Sequence, residues 1–197
     1  MGIISMRMTN LTALNLCKCT EVSDSSMGFA IKACTQLREL HLERTQAADT
    51  TMYAIAMSPG APYLRTLDLS NCPNINDGLM ASVLGTCTNL RALSLSCNAN
   101  VTDSSVIRVP TCLQRLLLDR CPGITDRAVI TVIEKCPNLT DLDVSGNAAV
   151  TDTALQSLLK HGTSLQRLDL RGCPVSGALT ERLKTLVGGQ LGDKKGQ

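Results

Sequence analysis

Leucine spacing sets the pattern of this chain. L-x-x-L-x-L, with one Val as a substitute, begins at Leu11, Leu37, Leu64, Leu90, Leu113, Leu139 and Leu165. Successive starts lie 26, 27, 26, 23, 26 and 26 residues apart. The last apolar position of each holds Leu16, Leu42, Leu69, Leu95, Leu118, Val144 or Leu170. This alternation predicts a short strand with one face turned inward. Eight residues after each first Leu stands Cys19, Thr45, Cys72, Asn98, Cys121, Asn147 or Cys173. These side chains share small size and a hydrogen-bond donor. They predict an inward ladder that satisfies loop carbonyls where the chain leaves the strand. A thiol donates weakly there and packs as a small apolar group.

A second signature follows: Val22-Ser23-Asp24, Ile75-Asn76-Asp77, Val101-Thr102-Asp103, Ile124-Thr125-Asp126 and Val150-Thr151-Asp152. An apolar anchor precedes a polar pair suited to capping a helix and stabilising its positive end. From the Asp, apolar residues fall at offsets three, six, seven and ten, as in Val129, Val132, Ile133 and Cys136. That spacing is one helical face. Each unit therefore reads strand, turn, helix, and buries its faces only by stacking on its neighbours. Strands pack about 4.8 Å apart, whereas helices need about 8–10 Å. The stack must curve, with the strands inside.

These residues resemble the cysteine-containing subclass of leucine-rich repeats, whose pattern reads C-x-x-L-x-x-L-x-L-x-x-C-x-x-I-T-D followed by a helix. Cys87 to Asp103 follows it with Asn98 in place of the second Cys, and Leu113 to Cys136 follows it closely. The resemblance implies an α/β leucine-rich-repeat solenoid. That is a curved horseshoe of about seven repeats, with parallel strands on the concave face and helices on the convex face. It also implies a habit of binding proteins, because the subclass is familiar from F-box and leucine-rich-repeat proteins, the substrate receptors of ubiquitin ligases. The expected organisation is a lead-in or partial cap at 1–10, in which Ile3, Ile4, Met6 and Met8 cover one end. Repeats follow over 11–187, and a disordered polar tail over 188–197.

Two local departures stand out. The step from Leu90 to Leu113 is three residues short, and Val109-Pro110 interrupts its helix, which predicts a single short turn. Ser58-Pro59-Gly60-Ala61-Pro62 predicts a loop on the outer rim.

Composition narrows the function classes. The 19 basic and 17 acidic residues leave a net charge of +2, unlike the basic excess of a nucleic-acid binder. Aromatics make up 2%, namely Phe29, Tyr53 and Tyr63, which argues against base-stacking platforms. The sequence has no apolar run long enough for a membrane helix. Seven of the ten cysteines recur at two equivalent positions, Cys19, Cys72, Cys121 and Cys173 at one, where they alternate with Asn and Thr, and Cys34, Cys87 and Cys136 at the other. Obligatory pairing does not fit that pattern, and a reducing compartment, cytoplasmic or nuclear, is expected. Cys17, Cys97 and Cys112 fall outside the ladder, and Cys17 and Cys97 are expected to face outward from the strand surface.

On the inner face, strand offsets two, four and six are expected to meet solvent. They read Ala13, Glu39, Thr66, Ala92, Arg115, Asp141, Arg167; then Asn15, His41, Asp68, Ser94, Leu117, Asp143, Asp169; then Cys17, Glu43, Ser70, Ser96, Asp119, Ser145, Arg171. Leu117 is the one large apolar residue among them. Leu117, Arg115, Arg167 and Arg171 are the candidate anchors for a protein partner, and Asp143 and Asp169 the candidate steering charges. No phosphate-binding, nucleophile-elbow or zinc-protease motif occurs, and an open sheet offers no water-excluding pocket. No catalytic, cofactor or metal residue is expected. The reading is a non-catalytic protein–protein interaction module, such as the recognition part of an adaptor, within a larger complex or longer array. The alternatives are a constitutive structural subunit of a large assembly and a thiol or metal sensor built on Cys17 and His41.

Overall fold

Leu14, Leu40, Leu67, Leu93, Leu116, Leu142 and Leu168 occupy the centres of seven three-residue strands in a computed structural model that describes residues 9–186. The strands are β1 (Ala13–Asn15), β2 (Glu39–His41), β3 (Thr66–Asp68), β4 (Ala92–Ser94), β5 (Arg115–Leu117), β6 (Asp141–Asp143) and β7 (Arg167–Asp169). They form one parallel sheet in chain order. Register places each central Leu beside the next, as Leu93 beside Leu116 and Leu142. Between them run α1 (Asp24–Ala33), α2 (Asp49–Met57), α3 (Asp77–Thr86), α4 (Asp103–Val106), α5 (Asp126–Lys135) and α6 (Asp152–His161), with α7 (Gly177–Leu186) after β7. Sequential strand order and strand–helix alternation give the leucine-rich-repeat solenoid, strands on one face and helices on the other. The expected 1–10 lead-in and 188–197 tail lie almost wholly outside the described residues.

The buried core is aliphatic and continuous from Met27 to Leu183. The turn ladder runs beside it. Asn98, 1% exposed, donates from Nδ2 to the Leu69 and Leu95 carbonyls at 2.8 and 2.9 Å and accepts from the Cys72 N–H at 2.9 Å. Asn147 repeats the arrangement with Leu118, Val144 and the Cys121 N–H. The thiols of Cys72, Cys121 and Cys173 each point to the carbonyl of the preceding unit's strand end, at 3.1 Å from Leu42, Leu95 and Val144. All ten cysteines are free thiols.

Turning into this ladder requires a left-handed residue. Lys18, Arg44, Asn71, Cys97, Arg120, Gly146 and Gly172, each seven residues after a first Leu, all have φ between 52° and 77°. Asn and Gly tolerate that conformation, and other residues adopt it at a cost of about 1 kcal/mol or more. Cys97 thus sits in the turn rather than on the strand surface.

The helix starts carry a second ladder. Ser23, Asn76, Thr102, Thr125 and Thr151 are the caps, each accepting a backbone N–H from its own first turn. The Asp that follows serves the next unit. Asp77 accepts from the Thr102 N–H (2.9 Å), the Thr102 hydroxyl (2.6 Å) and the Ser105 hydroxyl. Asp103 and Asp126 hold Thr125 and Thr151 in the same way.

The short fourth unit yields a helix of four residues, as its Pro predicts. The proline-rich segment differs from the expected rim loop. Ser58, Gly60 and Ala61 are buried, and Ala61–Tyr63 forms a 3-10 turn. A Cβ on Gly60 would lie 2.7 Å from the Thr35 carbonyl oxygen, so only glycine lets the segment tuck in.

Candidate functional site

Parallel register assembles the concave face into rows. One row is Arg115, Asp141, Arg167; the next is Leu117, Asp143, Asp169. All six candidate residues therefore gather on β5, β6, β7 and the turn after β7. Arg115 Nε and Arg167 Nη2 both reach Asp141 Oδ2, at 3.0 and 2.6 Å. Asp141, which the sequence pattern did not single out, is the hub of the row. The signal was present: opposite charges at one offset, 26 residues apart on either side. Arg171 closes on its own strand's Asp169, with Nε at 3.0 and 2.9 Å from the two carboxylate oxygens.

Asp143 behaves differently. It accepts the Ser145 N–H at 2.9 Å but makes no ion pair among the described residues. Burial, with Asp169 and Asp119 on either side, pushes its carboxyl above the ordinary range. Asp169 goes the other way: burial is outweighed by the Arg171 contacts, and its carboxyl is lowered. Leu117 is half-buried beside Asp143. This end of the sheet thus offers paired guanidinium groups, an apolar side chain and one desolvated carboxylate without a cation.

The middle of the face is small and hydroxylated. Ser70 and Ser94 share a hydroxyl contact, and Ser70 also donates to Asp68 at 2.7 Å. Ser96 departs from the expected solvent exposure: it is 8% exposed and its hydroxyl has no partner.

The first strands carry the other chemistry. His41 Nε2 lies 3.9 Å from Glu39. Cys17, Glu43 and Asp68 each bring one ligand atom within 4.8 Å of the others, and His41 is not in that group. Burial, with Asp68 and Glu43 adding to it, raises the Cys17 thiol. Deeper in the core, burial pushes Cys87, Cys121 and Cys136 up to about 11, as befits packed thiols. No helix among the described residues is long and apolar enough to cross a membrane.

Known proteins share this architecture. The family model described as leucine-rich repeat matches residues 60–78, 86–108 and 135–159. A chain of the Rad7 and Elc1 complex in yeast superimposes with a TM-score of 0.63 at 20% identity over 91% of this chain. This chain spans 55% of that one's length. Internalin C2 from Listeria monocytogenes gives 0.65 at 19% identity, over 97% of this chain and 77% of the other. Leiomodin-1 actin-binding site 2 gives 0.55 at 12%, over 71% and 86%. At these identities the likeness is one of fold.

Proposed function

We propose that this leucine-rich-repeat solenoid is a non-catalytic interaction module that recognises a partner protein with the concave sheet of β5 to β7. The observation that carries the reading is Asp143: half-buried, raised, and without a cation of its own, beside Leu117. A Lys or Arg from a partner would relieve that carboxylate, and an apolar neighbour on the partner would cover Leu117. Arg115 and Arg167 on the neighbouring row, and Arg171 at Asp169, present guanidinium groups already oriented by Asp141 and Asp169. Preorganised Arg is a frequent hot-spot type.

The finer form of the proposal is an adaptor, such as the recognition part of a ubiquitin-ligase substrate receptor, acting in the cytoplasm or nucleus. The matched chain from the Rad7 and Elc1 complex supports it, as a solenoid of this kind that works within a protein complex. The repeats are proposed to run over 11–187, as one unit of a larger complex or a longer array.

The test is pull-down from native cells with mass spectrometry, then affinity measurement with the recovered partner. Leu117→Ser combined with Arg167→Glu is expected to weaken binding at least about tenfold. Unchanged affinity would mean that another face does the binding.

A further inference from the structure

Three arginines stand in consecutive units at one edge of the sheet. Arg38, Arg65 and Arg91 immediately precede β2, β3 and β4. Backbone bonds stack them: the Arg65 N–H donates to the Arg38 carbonyl at 2.7 Å, and the Arg91 N–H to the Arg65 carbonyl at 2.8 Å. Neighbouring strands lie about 4.8 Å apart, so the outer two arginines are about 10 Å apart at the backbone. The equivalent positions of the other units hold Thr12, Gln114, Thr140 and Gln166. The cationic row is therefore confined to three successive units.

Like charges side by side on a sheet repel and cost stability. One position further along, the same sheet relieves that repulsion, because Asp141 lies between Arg115 and Arg167 and pairs with both. No acid interrupts Arg38, Arg65 and Arg91, and none of the three makes an ion pair among the described residues. Glu39, next to Arg38 in the chain, lies 3.9 Å from His41 instead. Arg65 and Arg91 are exposed, and Arg38 is partly covered. Its guanidinium sits 5.3 Å from the centre of the Tyr63 ring, an attraction that holds it in place. Asn89 donates from Nδ2 to the Pro62 carbonyl at 2.7 Å, which ties the approach to β4 to the segment carrying Tyr63. The row is fixed along its backbone and at one end, so a ligand has less to order on binding.

We propose that this row binds an acidic, extended segment of a partner protein, laid across the starts of β2, β3 and β4. Guanidinium forks match carboxylates bidentately. In a polyproline II segment, residues three apart lie on one side, about 9.3 Å from each other at 3.1 Å per residue. That spacing matches Arg38 and Arg91, with Arg65 between them to bridge the two carboxylates. A β-strand places same-side residues about 6.7 Å or 13 Å apart and fits the outer pair less well. The preferred ligand thus carries an acidic residue at every third position. This surface belongs to other units than Leu117 and Asp143, and it stands or falls independently of the contact on β5 to β7.

The experiment is fluorescence polarisation of the full chain with labelled peptides. A peptide of Glu-Pro-Pro repeats is expected to bind with a Kd on the order of 100 µM at low ionic strength, and more weakly as salt is added. Arg65→Glu should weaken binding roughly tenfold or more by placing an acid against the ligand's acids. Arg127→Glu, which reverses an exposed arginine on α5, should leave it unchanged. Glu-Pro repeats with the same number of glutamates should bind a few-fold less tightly, because their spacing misses the outer pair. All the substituted arginines are exposed, and circular dichroism checks that the fold is kept. Four results would each overturn the proposal: no saturable binding of Glu-Pro-Pro repeats, equal binding by the Arg65→Glu variant, indifference to the glutamate spacing, or tighter Arg65-dependent binding of single-stranded RNA than of the peptide.

Discussion

Asn98 and Asn147 stand at one offset in two units and make the same three hydrogen bonds, atom for atom. On the concave side of those two units, offset four carries Ser94 in one and Asp143 in the other. The difference lies in what each position faces. A turn side chain meets backbone carbonyls and N–H groups that are identical in every unit, so few residue types solve it. A concave side chain meets water and one neighbour, and many types will do. Stability is thus written in the repeated positions, and the unrepeated ones are left free to vary.

The sharpest way to break that division is Asn98→Ala. It strands the Cys72 N–H and takes one donor from each of the Leu69 and Leu95 carbonyls. At about 1–3 kcal/mol per buried group left unsatisfied, the expected loss is about 3 kcal/mol in urea unfolding. Cys121→Ala should cost only about 1 kcal/mol, because one weak S–H donor is removed. Equal losses would contradict the account of the ladder.

Asp77→Ala should come next, at about 2 kcal/mol, since the Thr102 N–H and two hydroxyls lose their acceptor. Burial pushes the Asp77 carboxyl up, but the Ser105 and Thr102 hydroxyls and the Thr102 N–H more than offset it and hold it low. A carboxyl lowered in the folded state adds stability above its unfolded value near pH 4, and that stability fades as the pH falls through the folded value. The variant should therefore lose part of the acid dependence of wild-type unfolding, measured as midpoint against pH.

On the concave face the order of effects reverses. Leu117→Ser with Arg167→Glu should shift stability by no more than about 0.5 kcal/mol while partner affinity collapses. Asp143→Asn should give the smallest change in the free protein. Its carboxyl is raised on folding, so the charged form opposes folding and stability declines as the pH rises through the folded value. The amide removes that decline, and the variant should be slightly more stable at neutral pH by calorimetry, yet bind its partner less well.

Much of the interior was legible in the sequence, because equivalent leucines, turn residues and caps recur at fixed intervals. The truncated helix α4 was legible through Val109-Pro110. The left-handed turn was written only in Asn71, Gly146 and Gly172, since Lys18, Arg44, Cys97 and Arg120 give no sign of it. The bracing role of the helix-start Asp was hidden, because its partners lie about one period further along the chain. On the concave face the strand pattern located all six candidates, but not that Asp141 would gather two arginines or that Asp143 would have none. Those facts depend on which rotamers meet across the register. The close approach of α1 to α2 was invisible because nothing in the sequence shows that Gly28 sits against the Thr50 carbonyl, where a Cβ would lie 2.9 Å from its oxygen.

The carboxylate and thiol contacts also give the stack a direction. In both, the earlier unit supplies the acceptor: Asp77, Asp103 and Asp126 on one side, the Leu42, Leu95 and Val144 carbonyls on the other. The later unit brings the donors. Synthesis delivers units in that same order, so at the helix starts and thiols the acceptors of a unit are made before the donors that reach them, while the Asn ladder and the strands carry bonds of the opposite sense.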